Sequence, residues 1–291
     1  MRSMRAGIDE AQGKARVLVE ALPYIRKWSG KRVVVKVGGE VMDDPALLDS
    51  LVTDLILMRF VGMAPILVHG AGSQISRAMR RSGKTPSFLR GHRVTDAETI
   101  RIVKNVLGNV NQGLVEAIVR LGGNGASVWG DQGVLVARRA RGPEGEDLGF
   151  VGEVEHVNHL VLEALIGQEV IPVVAPLGTG PEGPYNVNAD VAAAAVAAAV
   201  AAQKLVLLTN VSGLYRDLGD RDSLISETDV SQLERLAAEG CLSEGMIPKI
   251  SSAIEALKAG VPQAHILDGR MRHALLLEVF TDAGIGTMVL P

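Results

Sequence analysis

Short apolar runs alternate with longer amphipathic stretches along this chain. Runs at 32–37, 65–69, 126–129, 171–175, 204–209, 264–267 and 287–290 are rich in Val, Ile or Leu and too short for helices, so they predict strands. The stretches between them predict helices at 45–61, 73–82, 97–121, 160–166, 190–202, 230–238, 249–259 and 273–281. This alternation predicts an α/β fold: an open, mainly parallel central sheet with helices on both faces, an αβα sandwich. Unbroken apolar strands fit a sheet buried on both sides. Residues 139–148 are polar with Gly and Pro and lead into a β-like run at 149–154, which predicts a surface hairpin insertion. Before the first strand, Val17, Leu18, Ala21, Leu22 and Ile25 recur at helical spacing over 15–28. Pro23 lies among them and predicts a kink or an early stop.

A length of 291 residues suggests two units at roughly 150 residues each. The net charge of −3 gives no global field to recruit nucleic acid or an anionic membrane. Aromatic residues, at 3%, are too few for base-stacking platforms. The single cysteine, Cys241, excludes an internal disulfide and a cysteine zinc cluster. The most apolar stretch, 191–202, is mostly alanine and falls short of the ~18 residues of a membrane span. The first 15 residues lack the apolar core of a signal peptide. A cytoplasmic enzyme or binding protein, with no nucleic-acid or membrane partner, is the expectation.

Candidate chemistry lies at strand ends, where open α/β sheets bind ligands. The first strand runs into Lys36-Val37-Gly38-Gly39-Glu40 and the second into His69-Gly70-Ala71-Gly72-Ser73. Glycines at such turns let backbone N–H groups approach a phosphate beside a helix N-terminus. Two apparent motifs are set aside. Ser82-Gly83-Lys84-Thr85 resembles the end of a phosphate loop, but Ala78 stands where that motif needs glycine, and the preceding segment reads as helix. Gly178-Thr179-Gly180 with Gly183 fits a dinucleotide pattern, but Pro181 and Pro184 prevent a helix there, so it reads as a surface loop.

Taken in order, several segments resemble the acetylglutamate kinases of the amino acid kinase family. They are Val35–Gly39, Val68–Gly72, Arg93–Asp96, Gly149–Val154, Tyr185–Asp190, Leu207–Gly213, Gly245–Lys249, Asp268–Arg270 and 273–288. The resemblance implies the amino acid kinase fold with an extra amino-terminal helix. It divides the chain into a lead-in at 1–30, an acetylglutamate-binding and dimerisation lobe at 31–198, and an ATP-binding lobe at 199–291. It implies phosphoryl transfer from ATP, carried with Mg2+, to the side-chain carboxylate of N-acetyl-L-glutamate, an early step of arginine biosynthesis.

The resemblance also implies residue roles. Lys36 and Lys249 neutralise the moving phosphoryl, and Asp190 holds both lysines. Backbone N–H groups of Gly38, Gly39, Ala71 and Gly72 cradle it. Arg93, Asn186 and Asn188 bind acetylglutamate. Thr209, Asn210, Gly213, Leu214, Tyr215, Leu242 and Ser243 match the nucleotide loops. No protein metal ligand is expected. Taken alone, Asp190 also suits an N-cap, Lys36 and Lys249 suit solvated lysines, and His69 suits a satisfied turn histidine.

Three positions depart from the family pattern: Ala71 for a glycine, Asn210 for a frequent aspartate, and Glu244 for a small residue. Ala71 matters if its position needs a positive φ. The segment Leu22–Lys27 resembles the mobile helix that interlaces dimers into a hexamer, a trimer of dimers, in arginine-inhibited relatives. Tyr24, Lys204, Glu278 and Gly284 match positions around their arginine pocket, so L-arginine is the expected effector. Two rivals remain. One is a kinase for aminoadipate or glutamate on a carrier protein, for which Arg77, Arg80, Arg81, Lys84 and Arg90 supply basic charge. The other is a non-catalytic arginine-sensing subunit.

Overall fold

A computed structural model describes residues 2–89, 91–129, 133–142, 144–217, 219–239, 246–282 and 284–291. The chain opens with α1 (Arg2–Trp28), β1 (Arg32–Val37), α2 (Gly39–Met42), α3 (Pro45–Phe60), β2 (Ala64–His69) and α4 (Gly72–Arg81). There follow β3 (Phe88–Leu89), β4 (His92–Arg93), α5 (Ala97–Arg120), β5 (Gly125–Val128), β6 (Leu135–Arg141), β7 (Asp147–Val157) and α6 (His159–Gly167). Then come β8 (Ile171–Val174), β9 (Leu177–Gly180), β10 (Gly183–Val187), α7 (Ala189–Ala199), β11 (Lys204–Thr209), β12 (Leu214–Tyr215) and β13 (Leu224–Ile225). The last elements are β14 (Glu227–Asp229), α8 (Val230–Ala238), α9 (Ile247–Lys258), β15 (Ala264–Asp268), α10 (Ala274–Phe280) and β16 (Thr287–Leu290).

Eight strands form the central sheet in the order β14-β16-β15-β11-β1-β2-β8-β5. Its pairs are parallel except β15 with β16. Alternate residues of β1 feed two cores, as the period of a strand requires. Val33, Val35 and Val37 pack with Leu51, Leu55, Ile118 and Leu275 on one face; Val34 packs with Ala193, Val196 and Ala253 on the other. The alanines of α7 let that helix lie close to the sheet, and Ala192, Ala193 and Ala197 are fully buried. Because β1 pairs with β11, the sheet runs unbroken across the expected lobe boundary at 198/199.

Three expectations are corrected. The segment read as a surface hairpin insertion is a hairpin, β6 with β7, but not a separate one: it closes with β9 and β10 into a four-stranded barrel. The stretch read as a surface loop at 178–183 is the β9–β10 hairpin of the same barrel. Its glycines serve packing: a Cβ on Gly180 would strike the Ala137 carbonyl, and one on Gly178 would crowd the Ala137 side chain. Finally, Pro23 does not end α1, which continues to Trp28.

Candidate active site

At the carboxyl ends of β1, β2 and β11 lies a cleft of ≈340 Å³. Strand β1 delivers Lys36 and then turns at Gly38 into α2, while β2 ends at His69 and turns into α4. Gln74 Nε2 donates to the Gly39 carbonyl at 2.8 Å, which ties the two glycine turns together. Ala71 adopts φ −150, so its position does not need the left-handed region and alanine fits without strain.

The lysines converge on one carboxylate. Lys36 Nζ lies 2.8 Å from Asp190 Oδ1, and Lys249 Nζ lies 3.8 Å from Asp190 Oδ2. Lys36 and Asp190 are 7% and 5% exposed. Burial pushes the Lys249 pKa below the ordinary lysine value; Lys36 adds to the shift and Asp190 opposes it. The N-cap reading of Asp190 is overturned: Asn188 caps α7, its Oδ1 accepting from Asp190 N at 2.8 Å. Asp190 is thereby left to the lysines.

Arg93 forms the other end of the cleft. Its guanidinium donates to the Gly72 carbonyl and to Ser76 Oγ, each at 2.9 Å, and stacks 4.6 Å from the Phe88 ring centroid. It is 7% exposed, and among the described residues it pairs with no carboxylate. Burial, then nearby Arg80, lowers its pKa below the usual arginine value. A buried guanidinium without an acid is an anion-binding group. The barrel sets Asn186 beside it. Asn186 Nδ2 donates to Thr95 Oγ1 at 3.2 Å, and Thr95 Oγ1 donates to the Arg93 carbonyl at 2.7 Å. Thr95 in turn is held by the barrel rim, where Thr95 N donates to Leu148 O and Phe150 N to Thr95 O.

The cleft thus brings together Lys36, Gly38, Gly39, Ala71, Gly72, Arg93, Asn186, Asn188, Thr209, Asn210 and Lys249, with Asp190 beneath the lysines. Gly213, Leu214 and Tyr215 do not line it; they follow β11, where Leu214 N donates to Thr287 Oγ1. Leu242, Ser243, Cys241, Glu244 and Arg90 lie outside the described residues. Sequence reasoning assigned no role to Glu40, Ser73 and Arg270, all of which line the cleft. Position was the missed signal: Glu40 and Ser73 directly follow the two glycine turns, and Arg270 follows β15.

Of the residues expected around an arginine pocket, Lys204 and Glu278 meet. Lys204 Nζ lies 2.8 Å from Glu278 Oε1 and 4.7 Å from the Trp28 ring centroid. The neighbouring Asp282 carboxylate pushes the Tyr24 pKa above the ordinary tyrosine value. His265, missed in the sequence, lies 2.7 Å from Glu278 Oε1.

The chain matches known proteins in sequence and in fold. The sequence model of the amino acid kinase family matches residues 31–268. The chain belongs to the amino acid kinase family. Within that family it is 48% identical to an acetylglutamate kinase of Pelotomaculum thermopropionicum, over 95% of this chain and 97% of that one. It is 47% identical to an acetylglutamate kinase of Moorella thermoacetica, over 96% and 97%. Among solved structures it resembles the N-acetylglutamate synthase of Neisseria gonorrhoeae complexed with coenzyme A and N-acetyl-glutamate. That match has TM-score 0.86 at 29% identity and covers 95% of this chain but 63% of the synthase. A Giardia carbamate kinase matches at TM-score 0.65 and 15% identity, over 90% and 99%, a likeness of fold alone. The amino acid kinase fold is therefore present, with α1 added ahead of it.

Proposed function

We propose that this family member transfers the γ-phosphoryl group of ATP to the side-chain carboxylate of N-acetyl-L-glutamate, in arginine biosynthesis. One observation carries the reading: the Lys36–Asp190–Lys249 cluster and the carboxylate-free Arg93 occupy the same cleft. The acetylglutamate kinase relatives, matched over nearly their whole length, support it.

The acceptor carboxylate, with an ordinary pKa near 4.3, is already ionised at pH 7 and needs no general base. One of its oxygens forms the new bond to phosphorus as the bond to the ADP oxygen breaks, and the departing electron pair stays with ADP. Catalysis is positioning and charge neutralisation. Lys36 and Lys249 neutralise the moving phosphoryl, and Asp190 keeps the two ammonium groups apart and oriented. N–H groups of Gly38, Gly39, Ala71 and Gly72 receive its oxygens. Arg93, with Asn186 and Asn188, grips the acetylglutamate. Thr209 and Asn210 border the nucleotide, with Gly213–Tyr215, Leu242 and Ser243 completing its loops. In this division, 31–198 is the acetylglutamate lobe and 199–291 the ATP lobe. Mg2+ would ride on the nucleotide phosphates.

Two of the basic residues that would serve the carrier-protein rival are taken up by local ion pairs. Arg77 is held by Asp43, and Lys84 by Asp96 and Glu98. These basic residues are neutralised locally rather than offered to a docking partner. The non-catalytic rival is opposed by the intact lysine–aspartate cluster.

A regulatory site accompanies the catalytic one in this reading. Tyr24, Lys204, Glu278 and Gly284 would bind L-arginine, with α1 interlacing dimers into a hexamer. Support comes from the convergence of α1 with Lys204 and Glu278, and from a synthase structure described as complexed with L-arginine, at TM-score 0.82 and 28% identity. No described helix is long and apolar enough to cross a membrane, and a cytoplasmic site of action is part of the proposal. ADP release that depends on both MgATP and acetylglutamate tests the catalytic reading.

A further inference from the structure

His69 closes strand β2 directly before the second glycine turn, fully buried. Its ring bridges two structures. Nδ1 lies 3.4 Å from the Gly70 carbonyl, and Nε2 lies 3.1 Å from Nδ2 of Asn111. Asn111 stands mid-way along α5, also fully buried, amid the apolar residues Leu107 and Leu114.

The hydrogen bonds fix the tautomer. Asn111 Nδ2 also donates to the Val173 carbonyl at 2.9 Å. A backbone carbonyl only accepts, so the amide nitrogen of Asn111 must face both Val173 O and His69 Nε2. Nε2 is then the acceptor, and the ring proton sits on Nδ1, aimed at Gly70 O. Burial pushes the pKa of His69 down to about 4, so the ring stays neutral.

The pairing is poor as packing. Asparagine disfavours helix interiors, and Asn111 Oδ1 is buried with no hydrogen-bond partner among the described residues. An apolar pair would fill this space at less cost. The geometry of the peptide gives another reason. In a trans peptide the C=O of one residue and the N–H of the next point in opposite directions. A Gly70 carbonyl held inward by His69 turns the Ala71 N–H outward, where Ala71 lines the cleft. No acceptor among the described residues takes that N–H, while Gly70 N is bonded to Val37 O at 2.8 Å. Glycine at position 70 leaves this peptide free to flip unless something holds it.

We propose that His69 is a positioning residue for phosphoryl transfer: its Nδ1–H, fixed in that tautomer by Asn111, holds the Gly70 carbonyl inward and so aims the Ala71 N–H at the transferring phosphoryl group. The proposal rests on the kinase reading for its chemistry but not for its tautomer.

Two isosteres separate positioning from packing. In His69→Asn the amide nitrogen stands where Nδ1 stood and still donates to Gly70 O. In His69→Gln the amide oxygen stands where Nε2 stood and accepts from Asn111, and Gly70 O loses its donor. Steady-state kinetics with MgATP and acetylglutamate should show kcat down about tenfold or more for His69→Gln, at nearly constant KM for ATP, and within about threefold of wild type for His69→Asn. Equal kcat losses in both variants, in step with their melting temperatures, would reduce His69 to packing. Nitrogen-15 NMR of histidine-labelled wild type gives a second reading that needs no variant to fold. A buried ring protonated at Nδ1 supports the proposal, and an Nε2–H ring overturns it. Wild type without acetylglutamate-dependent ADP release would overturn the functional reading instead, and the ring signal would still decide the tautomer.

Discussion

Lys36 Nζ stands 2.8 Å from Asp190 Oδ1, joining the end of β1 to the first turn of α7 across the cleft floor. Neither side chain has enough solvent to carry its charge alone, and Lys249 shares the same carboxylate. Removing the acid should therefore harm both fold and turnover. Asp190→Asn is expected to lower stability by about 3–5 kcal/mol, the usual cost of stranding a buried charge. Its kcat should drop by about a hundredfold or more, because the lysines lose their orientation. Denaturant unfolding and kinetics on the same preparation check both.

Arg93 serves the acceptor in this account, not the nucleotide. Arg93→Lys keeps the charge but loses the fork that grips a carboxylate on two oxygens. KM for acetylglutamate should rise by about tenfold or more, with KM for ATP unchanged. A parallel rise in both constants would show that Arg93 merely supports the glycine turn through Gly72 O.

Lys249 predicts a pH limb. Its pKa lies below that of an ordinary lysine, chiefly through burial. A lysine loses its charge as pH rises through its pKa, so a lowered pKa brings that loss to lower pH. The profile of kcat/KM, which reports the free enzyme, should fall on the alkaline side below the usual lysine range. Lys249→Arg should carry that limb upward, because guanidinium stays charged. A limb indifferent to this change would assign it to another group.

Gly149 predicts a coupling between barrel and substrate site. It sits at φ +73, and a Cβ there would strike the Thr95 carbonyl. Thr95 holds Asn186 and the Arg93 backbone. Gly149→Ala should destabilise the protein by about 1 kcal/mol or more and raise KM for acetylglutamate more than KM for ATP. Calorimetry and steady-state kinetics measure the two effects.

The regulatory reading has its own test. Glu278 holds both Lys204 and His265. L-arginine should inhibit the wild type, and Glu278→Gln should weaken that inhibition at least about tenfold while acetylglutamate turnover persists. Activity unchanged at millimolar arginine would remove the effector role.

The sheet was legible because β1, β2 and β11 are buried on both faces and so read as unbroken apolar runs. The barrel was not. Its strands carry Gly178, Gly180 and Pro184, which read as loop residues; the close approach of Ala137, Tyr185 and Val187 explains those glycines. The early stop, one of the two outcomes expected at Pro23, does not occur, since α1 runs on past it. At the site, resemblance picked out Lys36, Arg93, Asp190 and Lys249, and strand ends alone marked the glycine turns. What sequence could not supply was partnership. The absence of an acid at Arg93 among the described residues and the contact of His265 with Glu278 both depend on segments distant in the chain, whereas the capping of α7 by Asn188 rather than Asp190 is a local choice of the helix start.

The most direct test of the account is ADP release with MgATP, with and without N-acetyl-L-glutamate, on wild type and Lys36→Ala. The account predicts release that requires acetylglutamate and falls by orders of magnitude in the variant. Folded wild-type protein that releases no ADP above background, or a Lys36→Ala variant as fast as wild type, would contradict it.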